Sequence, residues 1–581
     1  MNIGIDFGST YSTFSRYDKN ADTLEFISLE ESGGASIPSV VSVSKKGESF
    51  FGFAAKDKIG KKSQRIFEAF KMLLVETDRE ILRSRGYDNE FTPKAVAEKY
   101  LNYILGAISV RYNNGEPIED VVICMPEVWS NELKHIDGRG ILQKMLSTDS
   151  EGNRRRVRVV TEPEAASAFF AYNYEKETGN KFDGHLLLID YGGGTLDLSL
   201  TEVRPVNENA MEISYCNSGG AGDNHTCEGG KNKIGCAGIA FMQDVVLRAI
   251  QDSDEIEDKD DIDYSSPQFQ EAVKELESAL KSKTIDIRNK FDTIGCYSDI
   301  VTDIDDLLDD ELFFTSVTFD DSEIEVTYKH MVDAYRDNIE EALGSSVNEM
   351  NEYIIDNLGF DPCEPEAATK NNFKLAIVGG FSSFILVQKQ IAEMYNISAD
   401  SSADLRLKNI PDDKKETAIS LGAALIVEKK VVLQSVARYS IGIPVRTAKS
   451  DVSIPAYAIK RSDIIDSSKV YRCKLTDDGE DIFVSNIKNS LTHFVINKTG
   501  KEKNGIKMPL KPEMINQILY GVKEDDADIW HIGFSMDESG IITFHAIPTE
   551  LSDSAQSEVT VPLDTYSNLF EMTATTKDDL I

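Results

Sequence analysis

The chain has 581 residues, which at about 100–200 residues per domain predicts roughly three or four compact units. Its 62 basic residues stand against 99 acidic ones, a formal net charge of -37 that repels phosphate backbones and anionic lipid surfaces. We therefore expect neither nucleic acid nor a membrane among its partners. A small anionic ligand remains compatible, provided that backbone amides, helix N-termini and a bound cation hold it.

The N-terminus carries no basic segment, and the cysteines include no Cys-x-x-Cys pair, which predicts a reduced, cytoplasmic protein. Its apolar runs are much shorter than the ~18 residues that a membrane span requires. One glycine-rich loop contains four residues of the types that bind zinc, namely Cys216, His225, Cys227 and Cys236. Because no paired Cys-x2-Cys knuckle is present, free thiols are favoured over a zinc site.

Two distant segments, residues 3–14 and 187–198, repeat one pattern. Each has an apolar strand, an Asp, an aromatic residue, a glycine-rich turn with Thr, and a returning strand. This pattern predicts two β-hairpins with glycine-rich tips, and hence two lobes built on one plan.

Other predicted strands alternate with predicted helices. Strands are predicted at 121–126, 157–160 and 375–378, and helices that begin at Pro93, at Pro163 and near Ala418. Such alternation predicts α/β layers. From Tyr439 onward, short alternating strands separated by turns predict an all-β sandwich. The apolar segment between the two regions is predicted to be a linker, with a last helical turn or a first strand as the alternative.

The hairpin tips carry the chemistry. Successive backbone N–H groups at a glycine-rich tip cradle phosphate oxygens, and the Asp that ends a strand is a hard oxygen ligand suited to hydrated Mg²⁺. Asp6, Asp190 and Asp197 could therefore surround one metal, while the two turns hold phosphates from opposite sides. Ordinary hairpin turns are the alternative, and the matched copies disfavour it. No Walker A, G-x-S-x-G or His-Glu-x-x-His motif is present.

Together these segments resemble the actin, hexokinase and heat-shock ATPase superfamily, and within it the 70-kDa heat-shock chaperones of the DnaK family. The resemblance covers nearly the whole chain. The segments that carry it are the phosphate loops at 5–12 and 189–199, the Glu-Pro stretch at 160–166, the adenosine motif at 377–382, the helix at 417–424, and the β-domain stretches at 439–443 and 532–546.

The resemblance implies ATP or ADP and Mg²⁺ as cofactors. Asp6, Asp190 and Asp197 would order the metal and water. The residues implied to bind the nucleotide are Asp6, Gly8, Ser9, Thr10, Tyr11, Gly192, Gly193, Gly194, Gly379, Gly380 and Ser383. The implied catalytic residues are Lys71, Glu162, Asp190, Thr195 and Asp197. Among them, Lys71 is the candidate catalytic lysine, with a solvated surface lysine as the alternative. Glu162 would position the attacking water or the metal shell, and Thr195 would lie beside the γ-phosphate.

Two departures from the family stand out. Ser383 occupies the place of an arginine that stacks on adenine, which would weaken adenine binding. We also expect no counterpart here of the helical lid that follows the family's β-domain. We therefore expect a two-lobed, actin-like ATPase domain at 1–430, a linker at 431–436, a β-sandwich at 437–568 and a lidless tail at 569–581.

The function implied is that of an ATP-dependent, chaperone-like ATP hydrolase that binds extended polypeptide. A J-domain co-chaperone and a nucleotide-exchange factor are the partners that the resemblance implies. The alternatives are a nucleotide-switched scaffold, an actin-like filament protein and a sugar kinase.

Overall fold

The computed structural model describes most of the chain. The described residues are 1–29, 34–61, 63–76, 78–127, 129, 138–207, 210–221, 225–226, 233–234, 237–256, 259, 262–264, 266–308, 312–397, 404–407, 414, 416–446, 453–476, 479–485, 487–497, 506–510, 529–549 and 558–563. The predicted tail and the predicted zinc-type residues Cys227 and Cys236 lie outside them. None of the described helices is both long and apolar enough to cross a membrane.

The chain divides into two compact units. The large unit comprises residues 1–128 and 145–432, and the small unit comprises residues 129–144 and 433–581. The domain limits predicted from the sequence at 430, 436 and 568 remain predictions. The architecture is mixed α/β with several sheets and helices, as predicted.

The first sheet of the large unit contains the first predicted hairpin, formed by Asn2–Asp6 and Tyr11–Asp18. In order across the sheet, its strands are Thr23–Phe26, Tyr11–Asp18, Asn2–Asp6, Asp120–Met125 and Arg156–Thr161, with Ile37–Pro38 paired to Tyr11–Asp18. Its last three strands are parallel, so their carboxyl ends meet at one edge.

The second sheet contains the second predicted hairpin, formed by Gly184–Tyr191 and Leu196–Asn207. In order, its strands are Phe373–Val378, Gly184–Tyr191, Leu196–Asn207, Ala210–Ala221 and Val431–Leu433. The apolar segment predicted as a linker therefore begins as a short edge strand, which is one of the alternatives that the sequence left open. Both hairpins are confirmed.

Two central helices separate the sheets. Ala418–Val427 packs on the first sheet, where Ser420 Oγ hydrogen-bonds Ser15 at 2.7 Å. Glu162–Thr178 packs on the second sheet, where Thr201 Oγ1 donates to Ser167 Oγ at 3.2 Å. The layers thus run sheet, helix, helix, sheet.

Close contact between these layers depends on glycine. A Cβ at Gly4 would overlap the backbone of Ser420 and Ala424, and a Cβ at Gly422 would overlap the backbone carbonyl of Ala165. The helix backbones therefore approach the sheet and each other at a distance that only glycine permits.

The remaining elements surround these layers. The other helices are Phe53–Lys56, Arg79–Ser84, Pro93–Tyr112, Gly138–Leu146, Gly238–Asp252, Pro267–Ser282, Thr284–Ile294, Tyr297–Asp303, Tyr328–Tyr335, Glu341–Leu358, Ala367–Lys370, Ile385–Met394 and Ile487–Ser490, with shorter turns at Ile304–Asp306, Arg336–Glu340 and Phe381–Ser383. The other strands of the large unit are Val41–Ser44, Ser49–Phe51, Gln64–Phe67, His225–Thr226, Lys233–Ile234, Phe313–Phe319 and Ser322–Thr327.

The small unit packs two antiparallel sheets on one apolar core, as expected for a sandwich. The first has strands Ser453–Ile459, Ser440–Arg446, His493–Asn497 and Ile506–Pro509 in that order. The second has Tyr471–Arg472, Ile529–Met536, Ile542–Pro548 and Val559–Pro562, with Phe483–Ser485 paired to Ile529–Met536. Phe494 of the first sheet meets Phe534 of the second edge to face at 5.2 Å.

Candidate functional site

The tips of the two hairpins face each other. A Cβ at Gly193 would lie 2.8 Å from Thr10 Oγ1, and a Cβ at Gly194 would lie 3.1 Å from Ser9 Oγ. The Gly194 position also lies against the sulfur of Met72, at 2.8 Å. Glycine is therefore required where the tips approach, and the predicted phosphate turns come together from the two sheets.

The turns are also held internally. The Gly192 N–H donates to the Thr195 carbonyl at 3.0 Å, and Thr195 itself is buried. The N–H of Ile239, at the start of helix Gly238–Asp252, donates to the Gly193 carbonyl at 2.7 Å. In the first hairpin, a Cβ at Gly8 would overlap the Tyr11 carbonyl. Both tips therefore have backbone paths fixed by hydrogen bonds or close contacts.

Three acids lie where the hairpin strands meet their turns. Asp6 ends the first strand of its hairpin, and Asp190 is directly opposite Asp197 in the second hairpin. Asp190 and Asp197 are buried, whereas Asp6 is partly exposed. Asp190 Oδ2 has no hydrogen-bond partner among the described residues, so it is an acceptor available to a ligand, a metal or water.

Lys71 and Glu162 form a buried ion pair beside these acids. The Lys71 side chain is 4% exposed and that of Glu162 is 7% exposed, and Lys71 Nζ donates to Glu162 Oε1. Glu162 begins a central helix whose N-cap residue is Thr161. The Thr161 hydroxyl accepts from the Glu164 N–H, and the Glu164 carboxylate accepts from the Thr161 N–H. Lys71 is therefore not a solvated surface lysine.

The charges of this cluster are unbalanced. Burial raises the pKa of Asp6 to about 7, with Glu162 adding to the shift and Lys71 opposing it. Burial also raises the pKa of Asp190 well above its usual range, and Glu162 and Asp197 reinforce this. Burial alone would lower the pKa of Lys71, but the neighbouring carboxylates outweigh it and raise that pKa. The cluster therefore favours the arrival of a cation.

The donor set suits a hydrated metal better than a dehydrated one. Among the described residues, no group of three or more His, Cys, Asp or Glu is placed to hold a metal ion directly. Mg²⁺ prefers carboxylate oxygens but usually keeps several waters, so it needs only one or two direct protein ligands. The buried Oδ2 of Asp190 fits that requirement, because it can bind the metal or one of its waters while the neighbouring carboxylates of Asp6 and Asp197 add negative charge.

The predicted adenosine turn lies against one of these acids, Asp190. Gly379 has a φ of +90°, and a Cβ there would overlap the Asp190 side chain and the Tyr191 backbone. Ser383 is exposed, and its hydroxyl donates to the Gly380 carbonyl at 2.9 Å. The turn therefore lies next to the second hairpin, and Ser383 offers no flat surface on which a base could stack.

Tyr11 forms a cluster that the sequence did not reveal. Its hydroxyl donates to Glu277 Oε1 at 3.2 Å, and Lys281 donates to Glu277 Oε1 at 2.9 Å. The ammonium groups of Lys56 and Lys281 lie 4.7 and 4.5 Å from the centre of the Tyr11 ring. No local pattern joins residues this far apart in sequence, so only the fold could identify the cluster.

The structure therefore brings together the predicted residues Asp6, Ser9, Thr10, Lys71, Glu162, Asp190, Gly193, Gly194, Asp197 and Gly379. Gly8, Tyr11, Gly192, Thr195, Gly380 and Ser383 lie on the same turns. Sequence reasoning missed the buried Glu127. An acid directly after Pro126, at the end of a predicted strand, was the available signal.

Comparison with known proteins gives distant likenesses. No family model matches the chain. The chain is similar to the chaperone protein DnaK of Metamycoplasma hominis, at 27% identity over 224 residues that cover 38% of this chain and 32% of the relative. It is 22% identical to DnaK of Thermosipho africanus over 476 residues, 80% of this chain and 67% of the relative. With DnaK of Thermotoga petrophila the identity is 24% over 460 residues, 78% of this chain and 65% of the relative.

The chain thus spans about one third to two thirds of the length of these curated relatives. The fold defines a mixed α/β chain consistent with a two-domain ATPase and a following β domain. The similarities add that this chain is Hsp70-like at most. At 22–27% identity, the substrates and partners of the relatives are not assigned to this chain.

Proposed function

We propose that this protein is a chaperone-like ATPase that binds and hydrolyses Mg-ATP and couples this to the binding of extended polypeptide. The observation that carries the proposal is the meeting of two glycine-rich turns, Gly193 against Thr10 and Gly194 against Ser9, beside buried acids and one buried lysine. The DnaK likeness supports the same proposal.

In the proposed site, the turns hold the phosphates through backbone N–H groups and the hydroxyls of Ser9, Thr10 and Thr195. Asp6, Asp190 and Asp197 orient the waters of a hydrated cation. A bound Mg²⁺ would neutralise charge on the phosphate oxygens.

Hydrolysis in this proposal depends on positioning and charge. The transition state of phosphoryl transfer is loose and spreads negative charge over the γ-phosphate oxygens. The Lys71 ammonium, fixed by Glu162, is pre-oriented to stabilise that charge, and the remaining oxygen of Glu162 is an acceptor for the attacking water. No covalent nucleophile is needed.

The polypeptide part of the proposal rests on the small unit. Several of its large apolar side chains are exposed, namely Ile454, Ile464, Val470, Leu475 and Phe483. Two of them lie on strands, Ile454 in the first sheet of this unit and Phe483 in the second. Exposed apolar side chains on antiparallel strands are suited to an extended chain that bonds through its backbone and fits side chains into pockets. A J-domain co-chaperone and a nucleotide-exchange factor belong to the same proposal.

The decisive experiment measures ATP hydrolysis by the full chain with Mg²⁺, with and without an unfolded apolar peptide, next to calorimetric binding of ADP. We expect nucleotide binding, slow turnover and stimulation by peptide. The absence of nucleotide binding would refute the proposal. Binding without peptide stimulation would instead favour the nucleotide-switched scaffold, and nucleotide-dependent pelleting would favour the filament protein.

A further inference from the structure

A buried acid at the edge of the proposed site has no role in the function described so far. Glu127 follows strand Asp120–Met125 after Pro126, and it is 0% exposed. Because this strand runs parallel to Asn2–Asp6 and Arg156–Thr161, Glu127 leaves the first sheet at the same edge as Asp6 and Glu162. Its position is therefore that of a site residue.

Glu127 is bonded to the other sheet. Ser218 Oγ donates to Glu127 Oε1 at 3.0 Å. Ser218 lies on strand Ala210–Ala221, opposite Ser199, and two residues before Gly220, which is opposite Asp197. This bond therefore joins the first sheet to the second at the level of the buried Asp197.

A second bond orients the serine hydroxyl. Tyr215 OH lies 3.0 Å from Ser218 Oγ. Since the single Ser218 proton is used toward Glu127, the tyrosine is the donor in this pair. The chain Tyr215, Ser218, Glu127 thus ends on a carboxylate, and hydrogen bonds to charged acceptors are stronger than those between neutral groups.

We propose that Glu127 and Ser218 are a positioning pair that fixes the Asp197 edge of the second sheet against the Asp6 edge of the first. This inference rests on the proposed nucleotide site and adds residues to it. Separation of the sheets would leave the Glu127 carboxylate without the serine hydroxyl, which costs free energy in a buried setting. The pair therefore favours the arrangement in which the two glycine-rich turns face each other, and it slows the release of a nucleotide held between them.

The test uses the full chain and five variants: Ser218→Ala, Glu127→Ala, the double variant of these two, Glu127→Gln and Ser199→Ala. Ser199→Ala is the matched control, because it removes a buried serine hydroxyl directly opposite Ser218. Release of a fluorescent ADP is followed by stopped flow in Mg²⁺. Amide exchange of residues 215–221 is followed without nucleotide.

Ser218→Ala and Glu127→Ala should each speed ADP release about tenfold, the effect of one lost hydrogen bond to a charged group. The double variant should be no faster than the larger single variant, because both substitutions remove the same bond. Glu127→Gln should lie close to wild type, since its amide oxygen still accepts from Ser218. Ser199→Ala should release ADP at the wild-type rate.

Two results of the release experiment would overturn the inference. Equal release rates in Ser218→Ala and Ser199→Ala would show that the bond does not position the sheets. Equal defects in Glu127→Gln and Glu127→Ala, with Ser218→Ala unaffected, would show that Glu127 acts through its charge. If wild type binds no nucleotide, the proposed function fails, but the exchange experiment still decides: faster exchange in Ser218→Ala than in Ser199→Ala supports the pair, and equal exchange refutes it.

Discussion

The two hairpins follow one backbone plan, yet they contribute different chemistry. The tip of the first hairpin carries the hydroxyls of Ser9 and Thr10, and its Asp6 is partly exposed. The tip of the second is a run of glycines, and its two acids, Asp190 and Asp197, are buried. The first hairpin thus offers two adjacent hydroxyl groups, and the second offers clearance, the single hydroxyl of Thr195 and buried negative charge.

This difference teaches that an internal repeat predicts a path for the backbone and leaves the role of each copy open. Gly193 and Gly194 have no room for a side chain, because side chains of the first tip, and Met72, occupy the space in front of them. Each copy is therefore shaped by the other. The predictions that follow test the division of roles, starting with the largest expected effect.

Asp190→Asn should distinguish the role of the second hairpin from that of the first most clearly. We expect Mg-nucleotide binding to weaken roughly 100-fold, a loss typical of residues that order a metal's surroundings. Without nucleotide, the variant should melt no lower than wild type at pH 8. The reason is that a neutral amide replaces a carboxyl group whose charged form is disfavoured by burial, as its raised pKa indicates. Calorimetry and thermal melting measure the two effects, and unchanged ADP affinity in a folded variant would contradict the assignment.

Lys71→Ala should leave nucleotide binding nearly normal but slow single-turnover hydrolysis at least about tenfold, below the 10²–10³ typical of one preorganised contact. Lys45→Ala, an exposed lysine of the same unit, is the control. Because an unpaired Glu162 would destabilise the fold by about 3–5 kcal/mol, Lys71→Met with Glu162→Gln provides a neutral, buried pair for comparison. Wild-type turnover in Lys71→Ala would exclude a catalytic role.

The glycines of the second tip offer a finer comparison. A Cβ at Gly192 meets only the Thr195 carbonyl, at 3.8 Å, whereas Cβ atoms at Gly193 and Gly194 press on Thr10 and on Met72. We expect Gly193→Ala and Gly194→Ala to weaken ADP binding about tenfold, the equivalent of 1.4 kcal/mol. Gly192→Ala should bind nearly as wild type does. Equal effects at all three positions would mean that the tips do not approach as described.

The last comparison concerns pH and the first hairpin, and its expected effect is of the same size as that of the glycine variants. The pKa of Asp6 is raised from 3.8 to about 7 in the folded protein, chiefly by burial. Between these values the folded state keeps a proton that the unfolded state has lost, so this residue lowers the free energy of unfolding as pH rises from about 4 to 7.

Asp6→Asn should flatten this dependence by roughly 1–2 kcal/mol, allowing for the partial exposure of Asp6. Melting temperatures of nucleotide-free protein in a chelator, between pH 5 and 8, provide the measurement. Glu48→Gln, which removes one negative charge at an exposed position of the same unit, controls for the altered charge count. Parallel pH profiles for Asp6→Asn and wild type would contradict the shift.

Local patterns predicted much of the fold. The hairpins, the helix capped by Thr92 and the strands before Glu127 and Glu162 all depend on near neighbours in sequence. Strand Ser453–Ile459 escaped prediction because Pro455 interrupts its alternation, and it pairs there with Pro444. The first residues of the predicted linker pair at a sheet edge, a choice that depends on the partner strand.

The candidate site was predicted in its hairpins and its acids. The burial of Lys71 and its pairing with Glu162 depend on tertiary packing, and only family resemblance pointed to them beforehand. The contacts of Tyr11 with Glu277 and of Ser218 with Glu127 had no signal of spacing at all. Residues brought together from distant segments are the part of a site that a single sequence does not encode locally.

The crossing of the central helices at Gly422 and Ala165 has a mechanical consequence. Because the two backbones are in direct contact at this crossing, neither helix layer can move closer to the other. A tilt of one sheet relative to the other would therefore rotate about this point. The displacement produced by such a rotation grows with distance from the crossing. A small rotation there is therefore amplified at the hairpin tips, so a side chain added at Gly422 would alter the spacing of the tips without touching them.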